Sequence, residues 1–255
     1  MAKLIDIVNY CDDLLETTQF KDYCPNGLQL EGNSEVAKIV TGVTASQALI
    51  DAAVEHSADM LLVHHGFFWQ GEAPNITGMK KRRIKKLLDN NLSLVAYHLP
   101  LDAHPLLGNN AQLASILGLE VEGRFGGIGS QAIAMHGKVS AKLAASNLAE
   151  QISVSLSREV LHISPDSSEN QMIQTVAWCT GAAQSYIEKA VELGVDAFIT
   201  GEASEQTTHI ARECGIHFYA AGHHATERYG VKALGEHLAQ HFELNQQFID
   251  IDNPI

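Results

Sequence analysis

His223 and Glu227 stand four residues apart in the segment Ala221-Gly222-His223-His224-Ala225-Thr226-Glu227. On a helix that spacing puts an imidazole and a carboxylate on one face, about one turn apart, where both can reach a single cation. A second pair, His64-His65, closes the apolar run Met60-Leu61-Leu62-Val63. Consecutive strand residues point to opposite faces, so both rings are expected to reach one place only if the strand has ended before them, and Gly66 permits a turn there. Asp102 follows a third apolar run, Leu94 to His98, in a segment that reads as a proline-stiffened loop. Three imidazoles and two carboxylates suit zinc, iron, manganese or nickel and suit magnesium or calcium poorly. Five protein ligands exceed what one catalytic ion usually takes, whereas two ions sharing a bridging carboxylate accommodate all five.

Short apolar runs separated by helical patterns must position these residues. Leu4, Ile5, Val8, Leu14 and Leu15 mark an opening amphipathic helix, and Pro25-Asn26-Gly27 a loop. Strands are expected at 38–43, 59–63 and 93–97, with helices at 46–56, 80–90 and 110–117 between and after them. The glycine-rich stretch 123–129 reads as a boundary, with Gly126-Gly127-Ile128-Gly129 a linker rather than a phosphate loop. Strands at 132–139, 159–163, 174–179, 196–200 and 216–221 follow, with a helix at 140–151, a last helix at 226–241 and a closing strand at 247–251. This alternation predicts an α/β protein of two domains, 1–125 and 126–255, with much parallel strand pairing. The halves are partly similar. A shift of 137 residues aligns Ala45, Gln47, Ile50, Ala53, Val54, Glu55 and Asp59 with Ala182, Gln184, Ile187, Ala190, Val191, Glu192 and Asp196, an internal duplication. Under that shift His64-His65 falls on Gly201-Glu202.

The chain has 255 residues and a formal net charge of −13, which argues against broad nucleic-acid binding. The basic run from Lys80 to Lys86 reads as a solvated helix face. Cys11, Cys24, Cys179 and Cys214 form no C-x-x-C pair and read as reduced thiols. No leader or membrane-spanning stretch is evident, so a cytoplasmic protein is expected.

The segments Asn26-Gly27-Leu28-Gln29, His64-His65-Gly66, Pro100-Leu101-Asp102, Thr200-Gly201-Glu202 and Gly222 to Glu227 resemble, in order and over essentially the whole chain, the short bacterial form of the NGG-one-interacting-factor-three-like family. Its members are often described as GTP cyclohydrolase type 2 homologues. The resemblance implies mixed sheets in two similar α/β domains and a dinuclear metal centre in the cleft between them. It also implies a hexameric toroid. By motif, His64, His65, Asp102, His223 and Glu227 take the ligand positions, with Glu227 as the bridge. His98 and Glu202 are the candidates for moving protons. The expected function is hydrolysis by metal-activated water, with ring opening of GTP and formate release as the inherited reaction. Two alternatives stand beside it, a metal-dependent phosphoesterase or nuclease and a non-enzymatic metal-handling or interaction protein. A small-molecule nucleotide is the expected partner under the first reading, with no membrane partner.

Overall fold

The computed structural model describes residues 1–127, 129–166 and 171–255; Ile128, part of the expected linker, lies outside them. The chain divides into two compact units, the first comprising 1–108 and 228–252, the second 109–227 and 253–255. The expected division point, residue 125, lies within the second unit.

In the first unit, β1 (Ala2–Lys3) leads into α1 (Leu4–Leu14). Then come β2 (Gly27–Leu30), β3 (Glu35–Val36), β4 (Lys38–Thr44) and α2 (Gln47–Glu55). These are followed by β5 (Met60–His65), α3 (Gly78–Asp89), β6 (Ser93–Ala96) and α4 (Leu99–Ala103). The second unit contains α5 (Asn109–Leu117), β7 (Leu119–Phe125), β8 (Ala134–Ala144), α6 (Ala145–Leu156) and β9 (Leu161–Ile163). It continues through β10 (Met172–Cys179), α7 (Ile187–Leu193), β11 (Ala197–Thr200), α8 (Glu205–Cys214) and β12 (His217–Ala220). Helix α9 (His223–Phe242) begins in the second unit and ends in the first, which β13 (Asn245–Phe248) completes.

Both units carry a mixed sheet, as the alternating pattern predicts. The first has strand order β13-β4-β5-β6-β2, with β13, β4, β5 and β6 parallel and β2 antiparallel at the edge. The second has order β7-β8-β10-β11-β12-β9, with β10, β11 and β12 parallel and antiparallel neighbours outside them. Alternation along β5 sorts the first core into two layers. Met60 and Leu62 pack with Ile7 and Val8 of α1 and with Val231, Leu234 and Leu238 of α9. Leu61 and Val63 pack with Leu49, Ile50 and Ala53 of α2 and with Ile84 and Leu87 of α3. Strands buried on both faces read as continuous apolar runs, which is why Met60-Leu61-Leu62-Val63 shows no polar alternation. In the second unit, Ala177, Cys179, Phe198 and Phe218 pack against Ile187 and Ala190 of α7 and Ala211 of α8.

Several elements differ from the sequence expectation. Strand β8 continues to Ala144 where a helix was expected from 140, because Leu143 and Ala144 find ladder partners in Ile173 and Met172. Two strands were not expected: β2 starts at Gly27, the last residue of the turn Pro25-Asn26-Gly27, and β7 runs into the glycine-rich stretch 123–129 read as a boundary. The last strand runs 245–248, paired in parallel with β4, rather than 247–251. Asp102 lies on the short helix α4 rather than in a loop, since Pro100 at its first turn needs no N–H donor there.

Candidate metal-binding residues

The two histidines at the end of β5 are the last residues of the strand itself, not residues beyond it, and Thr44↔His65 is still a ladder pair with β4. Their rings nonetheless lie 4.6 Å apart. What orients them is a partner for one nitrogen of each ring. The Nδ1 of His64 donates to the Tyr97 carbonyl oxygen at 2.9 Å, which fixes the proton there and makes Nε2 the nitrogen that could ligate a cation. That Nε2 lies 3.6 Å from Oδ1 of Asp102, and both side chains are almost wholly buried. A neutral imidazole lone pair facing a carboxylate oxygen is repulsive unless a proton or a cation lies between them. The Nδ1 of His65 stands 3.1 Å from the Thr44 hydroxyl.

His98 joins this group. Its ring centroid is 5.1 Å from that of His64 and 5.8 Å from that of His65, and His64, His65 and His98 each offer a ligand atom within 4.8 Å of the others. A residue that the sequence did not single out, Asp22, controls it. Asp22 accepts from His98 Nδ1 at 2.7 Å, from the Leu99 N–H at 2.9 Å and from Asn26 Nδ2 at 2.9 Å. Burial pushes the Asp22 carboxyl up, but the hydrogen bond and charge of His98, with Asn26 and the Tyr23 N–H, outweigh it and hold the carboxyl below its ordinary range. Asn26 Oδ1 in turn accepts the His98 N–H at 2.8 Å, so Asp22 and Asn26 together clamp the start of the helix that carries Asp102. Cys24 lies beside Asp22 and His98. Burial, with the Asp22 charge, pushes its thiol up to about 12, so it remains protonated at neutral pH.

In the second unit, the expected helical pair is present. His223 and Glu227 occupy the first turns of α9, with Nε2 3.1 Å from Glu227 Oε2. The other nitrogen, Nδ1, is 2.7 Å from Glu202 Oε1. Burial pulls the His223 imidazolium down, but hydrogen bonds and charge from Glu227 and then Glu202 outweigh it and raise the pKa to about 9. Gly181 makes room for this pair. Its φ is +68°, and a Cβ there would come 2.1 Å from Glu227 Oε1 and 3.3 Å from His223 Nε2. Each unit therefore presents imidazole nitrogens directed at buried carboxylate oxygens, with the opposite nitrogen tied by a carbonyl or carboxylate. Such donor sets are able to hold a divalent transition-metal ion. Asn110 is fully buried on α5, where its Oδ1 accepts the Thr180 N–H and its carbonyl accepts from Trp178 Nε1.

The fold and these residues define a mixed-sheet α/β protein with grouped candidate metal ligands. The Duf34/NIF3 (NGG1p interacting factor 3) family model matches residues 2–254, and the chain belongs to that family. A Vibrio cholerae protein named GTP cyclohydrolase 1 type 2 homolog is 57% identical over 96% of both chains. A solved structure titled protein ybgI, of unknown function, superposes with a TM-score of 0.94 at 50% identity over the whole of both chains. TTHA1606 from Thermus thermophilus does so with a TM-score of 0.89 at 32% identity, again over the whole of both chains. Among the described residues no helix is long and apolar enough to cross a membrane.

Proposed function

We propose that the chain is a dinuclear metal-dependent hydrolase. His64, His65, Asp102, His223 and Glu227 would be the residues that hold the ions. The observation that carries this reading is the paired arrangement of tied imidazoles facing buried carboxylates, His64 with Asp102 and His223 with Glu227. Two divalent ions, when bound, supply Lewis acidity and lower the pKa of a coordinated water toward neutrality.

The name shared by the relatives supports opening of the guanine imidazole ring of GTP as the reaction. Two waters are consumed, both bonds from C8 to ring nitrogen are cleaved, and C8 leaves as formate. The chain's own groups handle the protons. His98, aligned by Asp22, would take a proton from the attacking water and return it to a departing ring nitrogen. Glu202 keeps the proton of His223 on Nδ1, so that Nε2 is the nitrogen available for ligation. Tyr97 does the same for His64 through its carbonyl.

The test is formate release from GTP by protein reconstituted with zinc, manganese, iron or nickel, beside Glu227→Gln. Formate from the parent and none from the variant is expected. Metal bound without formate would remove the GTP reaction, and a phosphoester substrate or a metal-handling role would replace it. We further propose that the protein works as a homohexamer, for which sedimentation at a sixfold mass is expected.

A further inference from the structure

The segment after His65 is held in a conformation that a loop without a task does not need. Gln29 pins it through two hydrogen bonds and is itself held by a third. Its Oε1 accepts the Phe67 N–H at 2.7 Å, and its Nε2 donates to the carbonyls of Phe67 and Pro25 at 3.2 and 2.8 Å. Within this pinned segment Phe68 adopts φ +65°, a region costly for a bulky side chain, and it is 36% exposed. Backbone strain of this kind persists only where surrounding structure enforces it, and it gathers at binding sites. The next residue is Trp69. Its main-chain N–H donates to Glu72 Oε2 at 3.2 Å and its indole N–H to the Gly66 carbonyl at 3.2 Å, so the backbone and the ring are each held by one hydrogen bond. The half-buried indole lies with its centroid 5.0 Å from that of His98, edge to face, and 5.9 Å from that of His65. His98 gives its Nδ1–H to Asp22, which leaves Nε2 as its second hydrogen-bonding nitrogen.

We propose that Trp69 and His98 form the recognition edge for a planar heteroaromatic ring presented to the candidate metal ligands. The indole stacks on the ring, and His98 Nε2 faces a nitrogen on its rim, the atom to which the proposed reaction returns a proton. An aromatic shelf fixed beside the candidate metal ligands favours flat, polarisable rings over aliphatic chains, because every such ring has a π-face and an alkyl chain does not. The inference rests on the reading of His64 and His65 as metal ligands, and it makes Trp69 a specificity-determining residue for that site.

The probe is GMP, with ribose 5-phosphate as the control lacking the base. The chain has two tryptophans, and Trp178 is fully buried, so quenching of tryptophan emission by GMP reports Trp69. Affinities for the parent, Trp69→Leu and Trp69→Phe come from equilibrium dialysis, with metal content and Tm measured on the same samples. Saturable quenching in the parent is expected, with GMP bound at least about tenfold more weakly by Trp69→Leu and within about threefold by Trp69→Phe. Ribose 5-phosphate is expected to bind much more weakly than GMP and to be indifferent to either substitution. Equal GMP affinity in parent and Trp69→Leu, or equal affinity for GMP and ribose 5-phosphate, overturns the proposal. Metal retained without base-dependent binding overturns this inference alone. Loss of metal from the parent overturns the hydrolase reading, and the dialysis still decides the role of Trp69.

Discussion

The two units repeat one scaffold and diverge where chemistry is done. Asp59 Oδ2 accepts the N–H groups of Ala37 and Lys38, and Asp196 Oδ2 accepts those of Gln174 and Thr175, the same atoms at the same 137-residue offset. Asp59 immediately precedes β5 and Asp196 immediately precedes β11, and each ties its strand to the parallel neighbour, β4 or β10. At the other end of those strands the equivalence breaks. Thr44 puts a hydroxyl on His65, while its counterpart Gly181 has no side chain and leaves space for the Glu227 carboxylate. His64-His65 is matched by Gly201-Glu202, two imidazoles against a carboxylate that orients the imidazole of another element. A duplicated fold thus keeps the contacts that set strand register and changes the residues at the strand ends, where substitution costs the core little.

That comparison can be broken or sharpened by substitution at matched positions. The largest effect is expected at Gly181. Gly181→Ala forces a Cβ into the Glu227 carboxylate at a positive φ, so metal affinity should fall by more than about a hundredfold, whereas Thr44→Ala at the matched position should cost about tenfold or less. Calorimetric metal titration of the two variants checks this, and equal losses would undo the asymmetry. Next, Glu202→Gln removes the charge that orients His223 and should weaken metal binding by about 10–100-fold without lowering Tm appreciably. An unchanged affinity would show that Glu202 does not orient a ligand. In the scaffold, Asp196→Ala and Asp59→Ala should each cost about 1–3 kcal/mol in chemical denaturation. Asp196 should cost more, because it also accepts from the Thr175 hydroxyl. The reverse order would mean that the two ladders are not equivalent.

The smallest effect is a pH dependence particular to the second unit. Burial pulls the His217 imidazole down to about 4, helped by His162 at 3.0 Å and opposed by Asp196. Burial lowers His162 as well. Both are favoured neutral in the folded chain, so the unfolded chain binds more protons at mildly acid pH. Their contribution is whole above about pH 6.5 and is lost as pH falls from there toward about 4. Denaturation midpoints measured between pH 7.5 and 4.5 should decline, and His217→Asn should flatten the decline. A slope unchanged by the substitution would assign it to other groups.

The pattern of what was legible follows the same division. Helix α9 with its His223–Glu227 spacing, the strand Met60 to Val63 and the parallel core are visible in sequence because each rests on a periodicity or an apolar run several residues long. Helix α4 was hidden because five residues beginning Leu99-Pro100 show no period, and β2 because an edge strand of four residues next to Pro25-Asn26-Gly27 carries turn chemistry instead. Among candidate site residues, those with ligand-bearing side chains stood out by type. Asp22, Thr44, Gly181, Trp69 and the Tyr97 carbonyl did not, since their roles arise from tertiary contacts that no local pattern records. Only Asn26, beside a glycine in a turn signal, offered a hint, and it proved to clamp the backbone of His98.

The central claim is the proposal that His64, His65, Asp102, His223 and Glu227 together hold two metal ions, with Glu227 needed for both. The most direct test is metal stoichiometry and affinity by elemental analysis and calorimetry on the parent and on Glu227→Ala. The account predicts two ions per chain in the parent and weakened binding of both in the variant. One ion retained by Glu227→Ala at parental affinity would contradict it.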